Sequence, residues 1–137
     1  MRKTFFLLTL LSASAFACPQ LGGLHMNCLQ SDGSITKVRI VQSNQNGVVR
    51  YKVDWAGKRT QIHDADGVIR STEIFDTGMV LRRMAVCEGD MLKHTALMTD
   101  STGTVKLDVT EEYTMVNRKL QFRALDEQGV YNEIRCR

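Results

Sequence analysis

Four cysteines and three histidines are the residues best equipped for chemistry in this 137-residue chain. Cys18, Cys28, Cys87 and Cys136 contain no C-x-x-C pair, and their separations of 10, 59 and 49 residues fit neither a zinc ribbon nor a dithiol redox motif. Their expected chemistry is oxidation to two disulfides, since an even set can pair completely in an oxidising compartment. Each bridge across a long loop contributes ~2–4 kcal/mol. Three connectivities are open. A bridge from Cys18 or Cys28 to Cys136 would fasten the last strand to the first. A Cys18–Cys28 bridge is disfavoured, because an extended strand rising ~3.3 Å per residue carries those sulfurs apart.

His25, His63 and His94 lie on or beside three different strand candidates. A metal site would need them to converge with carboxylates, and nothing in their spacing imposes that, so they read as surface or partly buried histidines with no metal and no cofactor. There is no G-x-S-x-G elbow, and with every cysteine paired no thiol remains for a Cys–His dyad. No catalytic residue is assigned, and the chain does not read as an enzyme. Glu111 and Glu112 point to opposite faces of a strand and cannot share a proton. Glu111 falls on the apolar parity between Val109 and Tyr113, where it marks a barrel mouth or bulge, or else a polar contact to a ligand inside.

The other side chains of interest are apolar. Tyr51, Trp55, Tyr113 and Phe122, with Met26, Met84, Met91 and Met98, either fill a core or line a pocket. Tyr51, Trp55, Met84, Met98, Tyr113 and Phe122 are the candidates for contact with a small apolar or amphipathic ligand.

The elements that must position these residues are strands. Around Tyr51 and Trp55, Val49, Tyr51, Val53 and Trp55 alternate with Arg50, Lys52 and Asp54, the period-two signature of a strand with one dry face. Asn46-Gly47 precedes that strand, and Ala56-Gly57-Lys58 follows it. The unit recurs about every ten residues. Strands are expected over 21–30, 34–43, 48–55, 59–63, 68–75, 79–87, 91–99, from 105 to beyond 113, around 120–124, and over 130–136. In the first, Leu24, Met26 and Cys28 share a parity; in 68–75 and 79–87 the parity is ambiguous. Short turns make sequence neighbours spatial neighbours, so the expected fold is all-β, an antiparallel up-and-down meander barrel of about eight to ten strands. A charged outer parity argues against a membrane barrel.

Residues 1–17 read as a signal peptide: Arg2 and Lys3 precede an apolar run, and Ala15-Phe16-Ala17 offers a cleavage site before Cys18. The run is shorter than the ~20 apolar residues a membrane span requires. Residues 18–137 then form one domain in the periplasm or outside the cell. Lipoprotein anchoring through Cys18 is the alternative. Against it, Ala15 and Phe16 stand where such signals place Leu and a small residue, and acylation would leave one cysteine without a partner. Without Arg2 and Lys3 the 18 basic and 15 acidic residues become 16 and 15, a net charge of +1. No basic run offers a nucleic-acid face.

A secreted meander barrel of this size resembles the lipocalin and calycin group. Gly23-Leu24-His25 stands at that family's G-x-W position, Arg135 or Arg137 at its C-terminal Arg, and Thr99-Asp100-Ser101 partly matches its T-D-Y loop. The chain departs from the pattern in lacking the motif tryptophan and a C-terminal helix. The resemblance implies a non-enzymatic protein that holds a small hydrophobic ligand in its lumen. The alternative is a periplasmic or cell-surface interaction module, an inhibitor or envelope component, that uses its loops and a protein partner the sequence does not identify.

Overall fold

The computed structural model describes residues 18–137 except Phe75; the leader reading of 1–17 lies outside the described residues. Ten strands follow in order: β1 Gly23–Leu29, β2 Ile35–Gln45, β3 Val48–Trp55, β4 Arg59–Asp64, β5 Arg70–Ile74, β6 Met79–Glu88, β7 Met91–Thr99, β8 Val105–Val116, β9 Lys119–Asp126 and β10 Gly129–Arg135. They form one antiparallel sheet in the order β4-β3-β2-β1-β10-β9-β8-β7-β6-β5. Two meanders, β1–β4 and β5–β10, therefore meet where β1 lies beside β10, and the sheet curls into a half-barrel. Among the described residues, no helix is long and apolar enough to cross a membrane.

The expected cylinder does not close through its ladder: β4 and β5, neighbours in sequence, are the two edges. The connection between them leans on β6 instead, with the Gly67 N–H donating to the Ala85 carbonyl at 2.9 Å. Arg70 reaches back from β5 to Asp66 at 2.6 Å and to Asp64 at 3.8 Å, which ties the connection down by charge where no ladder exists.

Alternation places the core as expected along β3, where Tyr51, Val53 and Trp55 are buried, and along β2, where Val38 and Ile40 are buried and Val41 is exposed. The hairpin between them turns on Asn46 and Gly47, both at positive φ, as its Asn-Gly pair requires. In β1 the expected parity fails. Asn27 adopts φ 51° and the pairing with β2 shifts between His25 and Cys28. This bulge turns Leu24 and Met26 outward, about half exposed, while Cys28 is fully buried.

Both disulfides form, as Cys18–Cys87 and Cys28–Cys136, and no described cysteine is free. The β1–β10 ladder has a single register pair, Leu29 opposite Arg135, and the Cys28–Cys136 bridge sits directly beside it. Covalent chemistry thus fastens the seam that hydrogen bonds hold least. Such bridges place the folded chain in an oxidising environment.

Candidate functional site

Strand register fixes two successive rows across the inner face. The lower row runs Cys87, Leu92, Tyr113, Phe122 and Ile134 on β6 to β10, and all but Cys87 are buried. Trp55 packs on this row, its ring centroid 4.9 Å from Phe122 and 6.3 Å from Tyr113. The row above it runs Ala85, His94, Glu111 and Ala124. Small alanines on both flanks leave room over the middle of that row, and the curl of the sheet brings β4 across it. From β4, Gln61 and His63 share the inward parity and enter the space.

The result is a buried polar cluster. The rings of His63 and His94 lie 4.3 Å apart, and His94 Nδ1 is 3.0 Å from Glu111 Oε2. Gln61 Nε2 donates to the same Glu111 oxygen at 3.5 Å, while Gln61 Oε1 accepts from Trp55 Nε1 at 3.0 Å and from Tyr113 Oη at 3.3 Å. Tyr113 Oη also lies 3.5 Å from His63 Nε2. Nδ1 of His63 is buried with no hydrogen-bond partner. An unpaired polar atom of this kind costs ~1–3 kcal/mol in an apolar interior.

Electrostatics follow from burial. Desolvation, with the charge of His94 as a second cause, pulls the His63 imidazole down to about 4, so it is neutral at physiological pH. Burial pushes the Glu111 carboxyl up, but the His94 hydrogen bond and the charges of His94 and His63 together outweigh it, leaving the carboxyl below its ordinary value. Burial, followed by the Glu111 charge, raises the Tyr113 phenol well above its ordinary value. The cluster thus holds one ionised carboxylate, a neutral imidazole and a protonated phenol. His63, His94 and Glu111 each offer one donor atom, and those atoms lie within 4.8 Å of one another.

A cavity of about 60 Å³ opens beside the two imidazoles at the gap between β4 and β6, lined also by Ala85, Met84, Arg83 and Arg70. It is far smaller than the ~300–1,000 Å³ of a small-molecule pocket.

The six expected ligand-contact residues divide. Tyr51, Trp55, Tyr113 and Phe122 converge and are buried against one another or their neighbours, so they fill the interior. Tyr51 donates its hydroxyl to the Pro19 carbonyl at 2.7 Å, and burial raises its phenol to about 12. Met84 stands opposite Thr95, one residue off the inward parity of Ala85, and borders the small cavity. Met98 lies opposite Leu107 on the inner face and is partly buried. Of the other methionines considered, Met91 is half-buried opposite Thr114 and Met26 is exposed on the bulged β1.

Two of the three histidines come together, contrary to the reading of three separate ones; His25 stays apart on β1, its Nε2 2.9 Å from the Leu21 carbonyl. Glu111 is an inward polar contact, its side chain 12% exposed. Gln61 had no sequence signal beyond sharing a parity with His63. Arg135 does not pack on a tryptophan: it pairs with Glu133 at 3.0 Å, and Arg59 instead sits 5.5 Å over the Trp55 ring.

The lining of the bare inner face follows from strand lengths. β8 pairs with β9 only from Thr110 onward, so Val105, Leu107 and Val109 have a neighbour on β7 alone. With Tyr131 and the 126–128 turn they border an open cleft of about 520 Å³. Searches against known protein families, characterised proteins and solved structures find no match for this chain.

Proposed function

We propose that this protein is an exported, non-enzymatic binding module that takes an extended apolar segment of a partner protein along the bare inner face of β5–β8. The half-barrel meander is compatible with a lipocalin-like plan, but the reading places recognition outside the filled interior. The observation that carries it is the apolar row Leu81, Met98 and Leu107, which register aligns across β6, β7 and β8 and in which Leu81 and Met98 are partly buried and Leu107 is exposed. Ile74 at the end of β5 and Leu107 on β8 are each more than a third exposed. Contiguous apolar surface of this kind on a small soluble domain marks an interaction site. Beside it, β5 pairs only with β6 among the described residues, so its outer N–H and C=O groups are free to accept an added strand.

A photo-crosslinking residue at position 74 of the full precursor, irradiated in exporting cells, is expected to yield one discrete protein adduct that Leu107→Glu abolishes. An adduct that survives that substitution, or no adduct together with Trp55 emission that titrates with fatty acids, would overturn this reading in favour of a small ligand.

A further inference from the structure

The polar cluster beneath that face is independent of the partner surface and asks for its own explanation. Three side chains from three strands, His63 on β4, His94 on β7 and Glu111 on β8, bring their donor atoms within 4.8 Å of one another, and the two imidazoles also border the small cavity. We propose that they form a binding site for a single divalent transition-metal ion of the zinc class, held by a ring nitrogen of His63, Nδ1 of His94 and Oε2 of Glu111.

Donor chemistry fits. Zinc takes imidazole nitrogen at ~2.0–2.1 Å and carboxylate oxygen at ~2.0–2.2 Å in tetrahedral array, which sets donor atoms roughly 3.3–3.4 Å apart. The His94–Glu111 pair already stands at 3.0 Å, and the full set lies within 4.8 Å. Closing the third donor onto the ion takes a side-chain adjustment, and the 60 Å³ cavity beside the two imidazoles gives their rings room for it. His63 also answers an otherwise awkward fact: it is 3% exposed, yet its Nδ1 meets no partner. A buried ring nitrogen without a hydrogen-bond partner in a polar cluster is free, in its unprotonated tautomer, to ligate a metal.

Supporting contacts follow the same logic. Ligating histidines and carboxylates are oriented by outer hydrogen bonds. Tyr113 Oη stands 3.5 Å from His63 Nε2, the nitrogen that remains when Nδ1 ligates, and Gln61, itself held by Trp55 and Tyr113, braces Glu111 Oε2. Three protein donors leave a fourth position, and the cavity lies beside both imidazoles with Arg83 and Arg70 on its wall. That position would be filled by water or by a small anionic oxygen ligand.

The test uses the mature, disulfide-bonded protein stripped with chelator. Titration with Zn²⁺ alone is expected to show one ion per chain by calorimetry, and Co²⁺ is expected to produce the visible absorption of a four-coordinate ion that Zn²⁺ then bleaches. Glu111→Gln and His63→Gln are each expected to lower affinity by on the order of 100-fold or more, Gln61→Ala by about 10–100-fold. His25→Gln is expected to leave affinity unchanged, and circular dichroism confirms that each variant is folded. The unmutated protein supplies a second readout: one equivalent of Zn²⁺ is expected to move the imidazole nitrogen resonances of His63 and His94 and leave those of His25 in place. Absence of saturable binding at micromolar Zn²⁺, or a response carried by His25 with His63 and His94 unmoved, would overturn the assignment.

Discussion

Removal of one disulfide at a time exposes how the two bridges are coupled. In sequence they interleave, Cys18–Cys87 with Cys28–Cys136, so they do not act as separate loops. Taken alone they close 69 and 108 residues, for which chain-entropy bookkeeping gives about 4.4 and about 4.8 kcal/mol. With the partner bridge intact, the unfolded chain already has a short path through it. For either bridge that path is the 10 residues from Cys18 to Cys28 and the 49 from Cys87 to Cys136, together 59. The segment from Cys28 to Cys87 runs in parallel with part of that path and shortens the effective loops further, so with its partner intact Cys18–Cys87 is worth about 3.8 kcal/mol and Cys28–Cys136 about 4.2 kcal/mol, the same difference of about 0.4 as between the isolated bridges. The double variants Cys18→Ala/Cys87→Ala and Cys28→Ala/Cys136→Ala should therefore lose entropic contributions within about 0.4 kcal/mol of each other in spite of their different spans. A second effect separates them. Cys28 and Cys136 are buried beside the single-pair β1–β10 ladder, whereas Cys18 and Cys87 are only partly buried. Losing two buried sulfurs at that seam adds on the order of 1 kcal/mol of cavity cost. Guanidinium unfolding with fitted m-values measures both, m rising in each variant because the uncrosslinked unfolded chain exposes more surface. Were the Cys18–Cys87 variant to lose less than about 1 kcal/mol while the other lost more than about 4, the shared-loop account would be refuted.

Tyr51→Phe removes the hydrogen bond from the Tyr51 hydroxyl to the lead before β1 and leaves the Pro19 carbonyl without that donor; a loss of about 1–2 kcal/mol is expected in denaturant titration, with the fold unchanged. Ala124→Leu, which pushes a branched side chain into the inner row beside Glu111, should cost about 1–3 kcal/mol by overpacking, measured as a fall in thermal midpoint. Asp66 accepts from Arg70 and from the Val68 N–H, and these contacts lower its carboxyl to about 2 from 3.8. Its folded value being the lower, the stability it contributes is present above 3.8 and is lost as pH falls through about 2. Asp66→Asn should therefore lie below the wild type near neutrality and converge with it in acid; parallel pH–stability curves would contradict the pairing.

Most of the meander could be read from the sequence because its determinants are local. The alternation of Tyr51, Val53 and Trp55 with charged residues, and the Asn46-Gly47 turn, specify β3 and its hairpin without reference to anything distant. The bulge at Asn27 was not legible: one residue at positive φ inverts the parity of what precedes it, so Leu24 and Met26 look inward on paper and are outward in space. Along β8 the parity was right but burial was not, since whether Val105 and Leu107 are covered depends on where β9 ends. The His63–His94–Glu111 cluster was invisible for a related reason. His94 and Glu111 meet through register, and His63 joins them only through the curl that carries β4 over β6, a property of the whole sheet.

Curl and cluster are linked in turn. Because β4 and β5 do not pair, nothing in the ladder holds β4 above β7 and β8. What holds it there is a small set of non-ladder contacts: Cys18–Cys87 tying the lead to β6, the Gly67–Ala85 backbone bond, and the hydrogen bonds that Gln61 donates to Glu111 and accepts from Tyr113. Tyr51 connects two of these, since its hydroxyl reaches both the Pro19 carbonyl and, at 4.0 Å, Cys87 Sγ. A closed barrel would have fixed the same geometry by hydrogen bonds, but would have had no gap through which His63 and His94 meet a cavity. The open edge leaves room for the polar site and the free strand of β5, and the disulfide restores the rigidity that the missing ladder would have supplied. The bridge nearest this gap is therefore the one whose loss should loosen the imidazole pair. After Cys18→Ala/Cys87→Ala, hydrogen exchange should accelerate along β4 and β6 while β8 and β9 stay protected; uniform acceleration across the sheet would show instead that the two edges are held by the core as a whole.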